Sequence, residues 1–179
     1  ATTQSAAATA WQSGNGTKFW QVDVDATGYY NLTISSKQQS SNTGPRDFKL
    51  QYRTGGVSGT WTDVPSGAIT VAANFTTGVV TNLALPAACD NQSALSIRWI
   101  MTSNTSANGG TVASGGTNRI DDISVKGGTP LLLAGYNNLT VNGLSQSVTG
   151  LTAGTNYYYR VRAFSTNSTS ANSNTIAVA

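Results

Sequence analysis

Every acid in this chain is an aspartate, and it contains neither glutamate nor histidine. Histidine is the commonest general base and the commonest metal ligand, so most hydrolase and metalloenzyme chemistry is removed at once. Two carboxylates working as an acid–base pair must face one another across a substrate. The adjacent Asp121 and Asp122 lie in a stretch that reads as a strand, where neighbours point to opposite faces. Asp23 and Asp25 share a face but have no Glu or His to work with. The single cysteine, Cys89, has no histidine to activate it and no second cysteine to bridge. Lying between two strand-like runs, it reads as a small half-buried hydrophobe. The chain is expected to be non-catalytic, with no cofactor beyond a structural Ca²⁺.

Binding chemistry is better supplied. Calcium takes carboxylate, amide and carbonyl oxygens, and Asp121, Asp122 and Asn118 are the first candidates to hold it. The competing reading is a turn network in which Asx side chains bond to nearby backbone. Sugars need aromatic faces beside polar groups. Trp61, Trp11 and Tyr29 are candidate rings, with Arg46 and Asp47 as a polar rim, while Trp20 and Trp99 fall in core registers. Arg46 and Asp47 could instead pair to fix their own loop. Nucleic acid is not an expected partner: ten cations are spread along 179 residues, and only Arg160 and Arg162 sit close on one strand face.

The elements that must position these groups are strands. Thr, Ser, Asn, Gln and Gly number 26, 20, 16, 8 and 19, half the chain, and only 9% is charged. That pool disfavours long helices, while 39% hydrophobic residues suffice for a core. Period-2 alternation recurs at Trp20/Val22/Val24, Tyr30/Leu32/Ile34, Phe48/Leu50/Tyr52, Trp61/Val64, Ile69/Val71, Leu83/Leu85 and Leu95/Ile97/Trp99/Met101. Arg119 to Lys126 closes the series with Ile123 and Val125 expected inward. About eight short strands separated by Gly/Asn/Ser/Thr turns predict an antiparallel sandwich. No apolar run is long enough for a membrane span.

At Gly127-Gly128-Thr129-Pro130 the pattern breaks, placing one module at 1–127 and another at 128–179. In the second, Gly150-Leu151, Gly154-Thr155, Tyr157, Tyr159-Arg160-Val161-Arg162-Ala163 and Ser170-Ala171-Asn172-Ser173 resemble the second half of a fibronectin type III domain. The resemblance implies that Tyr157 is a corner tyrosine whose hydroxyl ties back to upstream backbone. In the first module, Tyr29-Tyr30-Asn31, Ser41 to Phe48, Trp61-Thr62-Asp63, Arg98 to Asn104 and Arg119 to Ile123 resemble a jelly-roll-like module of multimodular secreted bacterial proteins, some of them exported by type IX secretion. Such modules open with an aromatic strand well upstream, so the N-terminal strand is expected to be missing.

The fold class expected is therefore all-β: a jelly-roll-like antiparallel sandwich followed by an incomplete fibronectin type III/Ig-like one. The second module has 51 residues from Thr129 onward, against roughly 100 for a closed sandwich. Leu139, Val141, Val148, Leu151, Tyr157, Tyr159, Val161, Ile176 and Val178 would lack a lid, forfeiting roughly 13–27 kcal/mol. All of these except Leu151 define the candidate assembly surface. The expected partners are further copies of the chain, as oligomer or filament, or further domains of a longer polypeptide. The expected role is structural or adhesive, secreted or at the cell surface. The alternative is a carbohydrate-binding accessory region of a larger secreted hydrolase, with glycans as ligands.

Overall fold

The computed structural model describes residues 4–129 and 132–178 and is all-β. Two compact units form, Ala1–Pro130 and Leu131–Ala179. The first holds eight strands: β1 (Ala6–Ala8), β2 (Phe19–Val24), β3 (Tyr30–Ser40), β4 (Asp47–Arg53), β5 (Thr62–Thr70), β6 (Gly78–Ala84), β7 (Leu95–Met101) and β8 (Asn118–Gly128). One sheet runs β1-β8-β3-β6 and the other β2-β7-β4-β5, with antiparallel neighbours throughout. The pairs β1·β8, β2·β7, β3·β6 and β4·β5 are nested in sequence, as if one long hairpin had been rolled up. That is jelly-roll topology.

Alternation along each strand decides which side chains enter the space between the sheets. Leu95, Ile97, Trp99 and Met101 of β7 are fully buried, with Phe48 and Leu50 of β4 beside them and Ile34 of β3 opposite. Trp99 is 0% exposed, and its indole N–H donates across the core to Ser36 Oγ at 3.0 Å. Trp11 precedes β2 and packs against Trp20 and Phe48, ring centroids 5.6 and 5.7 Å away.

Several strand details differ from the sequence pattern. Residues around Trp61/Val64 and Ile69/Val71 belong to one strand, β5. Between Lys49↔Ala68 and Gln51↔Asp63 it carries three more residues than β4, and Ser66 takes φ 57°. On β8, Asp121 faces Lys37 and Ser124 faces Ser35, so β8 has one residue more than β3 there, with Asp122 at φ 50°. This bulge reverses the alternation. Ile120 and Val125 both pack on the core, and Ile123, expected inward, faces solvent. The first strand of the sheet is the short alanine strand β1, which lies on β8 from Asn118 to Ile120.

The loops at one end of the roll meet backbone to backbone. Ser41 N–H donates to Thr117 O at 2.9 Å and Ala113 N–H to Thr43 O at 3.1 Å. A Cβ on Gly44 would collide with the Thr117 carbonyl, and one on Gly116 with that of Thr43. Both positions need glycine for this close approach, not for an unusual φ.

The second unit has a two-stranded sheet, β9 (Tyr157–Tyr159) with β10 (Ile176–Val178). Beyond Tyr159 the hairpin continues differently. Val161 and Ala163 N–H groups donate to the hydroxyls of Ser173 and Ser170, whose own N–H groups return bonds to the Val161 and Ala163 carbonyls. Tyr157 Oη accepts from Thr152 N–H at 2.8 Å, and Tyr136 Oη accepts from Thr149 N–H at 2.9 Å. No described residue of this unit is buried.

Candidate functional site

The strongest grouping of polar and aromatic side chains lies on the outer face of β2-β7-β4-β5. Strand register sets it. Gln21 faces Arg98, Arg98 faces Gln51 and Gln51 faces Asp63, one residue from each strand in a single row. Asp23, Ser96 and Arg53 form the row on one side. Phe19, Ile100 and Lys49 form the row on the other. The alternation that buries Trp99 necessarily points Arg98 outward.

Hydrogen bonds lock these rows together. Arg98 donates from Nε and Nη2 to Gln51 Oε1 at 2.8 and 2.6 Å, and Gln51 Nε2 donates to Asp63 Oδ1 at 2.6 Å. Lys49 Nζ pairs with Asp63 Oδ2 at 2.9 Å. At the other end Ser96 Oγ and Gln21 Nε2 both donate to Asp23. Arg98 Cζ stands 4.1 Å from the Trp61 ring centroid and 5.1 Å from that of Phe19, and Arg53 Cζ stands 4.6 Å from Trp61. Phe19, Arg98, Trp61 and Arg53 thus make a spine of alternating rings and cations across the face.

The charges on this face are unevenly matched. Lys49, followed by Gln51, holds the Asp63 carboxyl below its usual value. Arg98 is pulled below the ordinary guanidinium range by burial and next by the neighbouring Arg53. Among the described residues the ion pairs are Lys37–Asp122, Arg46–Asp47 and Lys49–Asp63, so neither Arg53 nor Arg98 has a carboxylate partner. Arg53 gives one Nη1 bond to Val57 O at 3.1 Å, while its Nε is buried without a partner.

Of the sugar-site candidates, only Trp61 joins the spine of rings and cations; Asp47 shares the outward register of β4 but at its other end. Trp11 is 4% exposed with its N–H on the Ala8 carbonyl, so the expectation of an exposed ring is corrected: it is core. Tyr29 is exposed, whereas Trp20, placed in a core register, is only half-buried. Arg46 and Asp47 form a two-pronged ion pair at 2.9 and 3.1 Å, and Ser103 Oγ also donates to Asp47. Their pairing fixes the entry to β4. Trp61 adjoins Thr62, which faces Tyr52 at the far end of β4, about 17 Å along the strand from Asp47. The rim and the ring therefore serve different places.

The calcium candidates are not gathered either. Asn118 is fully buried. Its Oδ1 accepts from Trp20 Nε1 at 2.6 Å and Gln38 Nε2 at 3.3 Å, and its Nδ2 donates to Ser40 Oγ at 3.0 Å. Asp122 pairs with Lys37 at 2.8 Å, and Asp121 Oδ1 accepts from Asp122 N–H. Among the described residues no three acidic, Cys or His side chains form a metal-sized cluster. Asn118 is a core amide that completes a polar network.

In the second unit Val161 is 61% exposed, and Leu139, Val148, Tyr159 and Val178 are also exposed; Val141, Tyr157 and Ile176 are half-buried. Cys89 is fully buried, and burial, then the adjacent Asp90, pushes its thiol up to about 12. Sequence reasoning missed Arg98, Gln51, Arg53, Asp63 and Phe19 as a group. The alternation of Phe48, Leu50 and Tyr52 implies that Lys49, Gln51 and Arg53 point the other way, but it does not reveal the cross-strand rows. No family model, no curated protein and no solved structure matches this chain.

Proposed function

We propose that this is a non-catalytic structural or adhesive protein of the cell exterior whose second unit is completed by strands from another copy of the chain. The observation that carries the reading is the second unit's lack of any buried described residue, despite its apolar Leu, Val and Tyr side chains. Exposed or half-buried, those groups contribute little; covered by incoming strands, each fully exposed one contributes about 1.5–3 kcal/mol and the half-buried ones less. The β9–β10 hairpin supports the same reading, since a two-stranded ribbon is marginal alone and offers open edges for pairing. The Tyr157–Thr152 bond has the form of a corner tyrosine, as the fibronectin-like resemblance leads one to expect. Copies joined head to tail build an open filament unless the rotation closes.

Imaging of the full chain together with sedimentation against concentration tests this. Filaments or concentration-dependent oligomers are expected, and the double variant Val148→Asp, Val161→Asp should stay monodisperse with the first unit still folded. A chain that remains monomeric at every concentration refutes the assembly. The alternative of glycan binding by the first unit is favoured by the aromatic–polar face of β2-β7-β4-β5.

A further inference from the structure

We propose that the outer face of β2-β7-β4-β5 binds an acidic saccharide, with Arg53 and Arg98 receiving its carboxylate and the Gln21–Asp23 and Gln51–Asp63 pairs receiving its hydroxyls. The inference rests on the glycan-binding reading of the first unit and adds the charge class of the ligand. It is independent of assembly by the second unit.

Charge complementarity sets the class. Arg53 and Arg98 stack on Trp61 and, with Lys49, outnumber the two acids of the rows, Asp63 and Asp23; Asp63 is already held by Lys49 and Gln51, and Asp23 by Ser96 and Gln21. Two guanidiniums without a carboxylate partner stand on one indole, so an arriving anion meets cations already fixed in place. Stacking on Trp61 and the Gln51 bonds restrict Arg98, which lowers the ordering cost on binding.

The surrounding groups suit a sugar better than a peptide. Hydroxyls both donate and accept, and the rows Gln21–Arg98–Gln51–Asp63 and Asp23–Ser96–Arg53 set amides, carboxylates and a hydroxyl beside the guanidiniums. The exposed Phe19 ring beside Arg98 offers an apolar surface for a pyranose face. A peptide adding to a sheet needs an unpaired strand edge. This site is instead the middle of a sheet face, centred on β7 and β4, which are paired on both sides.

Titration calorimetry on the full chain tests the proposal with oligogalacturonate, a sulfated dextran, neutral dextran and poly-glutamate. Oligogalacturonate is expected to bind and to weaken as salt rises. Arg53→Gln and Arg98→Gln should each cost about ten- to a hundredfold in affinity. Arg119→Gln, the same charge change on the other sheet, should cost nothing. An NMR shift of the Trp61 indole N–H on titration supplies a second readout on unmutated protein. Preference for the sulfated polymer over galacturonate would retain the anionic saccharide and replace the carboxylate by a sulfate. Equal binding of neutral dextran would overturn the charge class while leaving glycan binding standing. Equal binding of poly-glutamate would overturn the saccharide, and absence of binding to all four would overturn both.

Discussion

Replacing Asn118 with alanine separates a core amide from a calcium ligand. The side chain joins β8 to β3 and β2 by bonds to Gln38, Ser40 and Trp20. Gln38 and Ser40 are themselves buried, so they lose their partner without ready access to water. Ser40 Oγ keeps its bond to the Pro45 carbonyl, but Gln38 Oε1 already lacks a partner, leaving that side chain poorly satisfied. With each lost bond costing about 0.5–1.5 kcal/mol and buried orphans more, the substitution should cost about 2–4 kcal/mol. Asn→Ala vacates roughly the volume of one water, and a water entering the gap would bring the cost towards the lower figure. For a unit spanning Ala1–Pro130, the melting temperature should fall by roughly 6–20 °C. Scanning calorimetry, with Trp20 fluorescence as a local probe, measures it. A loss below about 1 kcal/mol would refute the network's importance. So would a calcium-induced rise in melting temperature that Asn118→Ala abolishes, since that would make Asn118 a ligand.

Two further outcomes follow from ionisation. Arg46, with a smaller contribution from Ser103, holds Asp47 below its usual pKa. The associated stability is therefore present above about pH 4 and disappears as pH falls through the lower folded value. Asp47→Asn should flatten the acid limb of the stability profile; an unchanged limb would show that the pair does not govern it. Cys89, with its thiol pushed up to about 12 and its side chain fully buried, should resist iodoacetamide at pH 8 in the native protein and react fully in denaturant. Rapid native alkylation would contradict the packing around it.

The strands were legible where one face is consistently apolar. Leu95 to Met101 alternates so regularly that its inward set could be named residue by residue, and all four members are buried. Ile123 was misplaced because a single extra residue at the Asp122 bulge inverts the phase, and no local composition marks it. The first strand escaped notice because Ala6–Ala8 has no contrast between faces. Trp11 looked available because it lies outside any alternating run, whereas its burial comes from Trp20 and Phe48. The sheet face was invisible for a different reason. Arg98 and Gln51 are 47 residues apart, and only the register of β7 on β4 makes them partners.

The bulge on β8 has a consequence for how large an assembly could become. Among the described residues, strand β1 pairs with β8 from Asn118 to Ile120. The next stretch carries Asp121, Asp122 and Lys126 and is kinked where a flat incoming strand would have to lie. Charge and twist together make this margin a poor template. Of the ten cations and seven acids, residues 131–179 hold only Arg160 and Arg162. In polymer terms, if copies assemble as proposed, this edge of the first unit would act as a stopper and the second unit as a growth point. A fibre built on that division would lengthen with concentration without recruiting neighbours through the β8 margin.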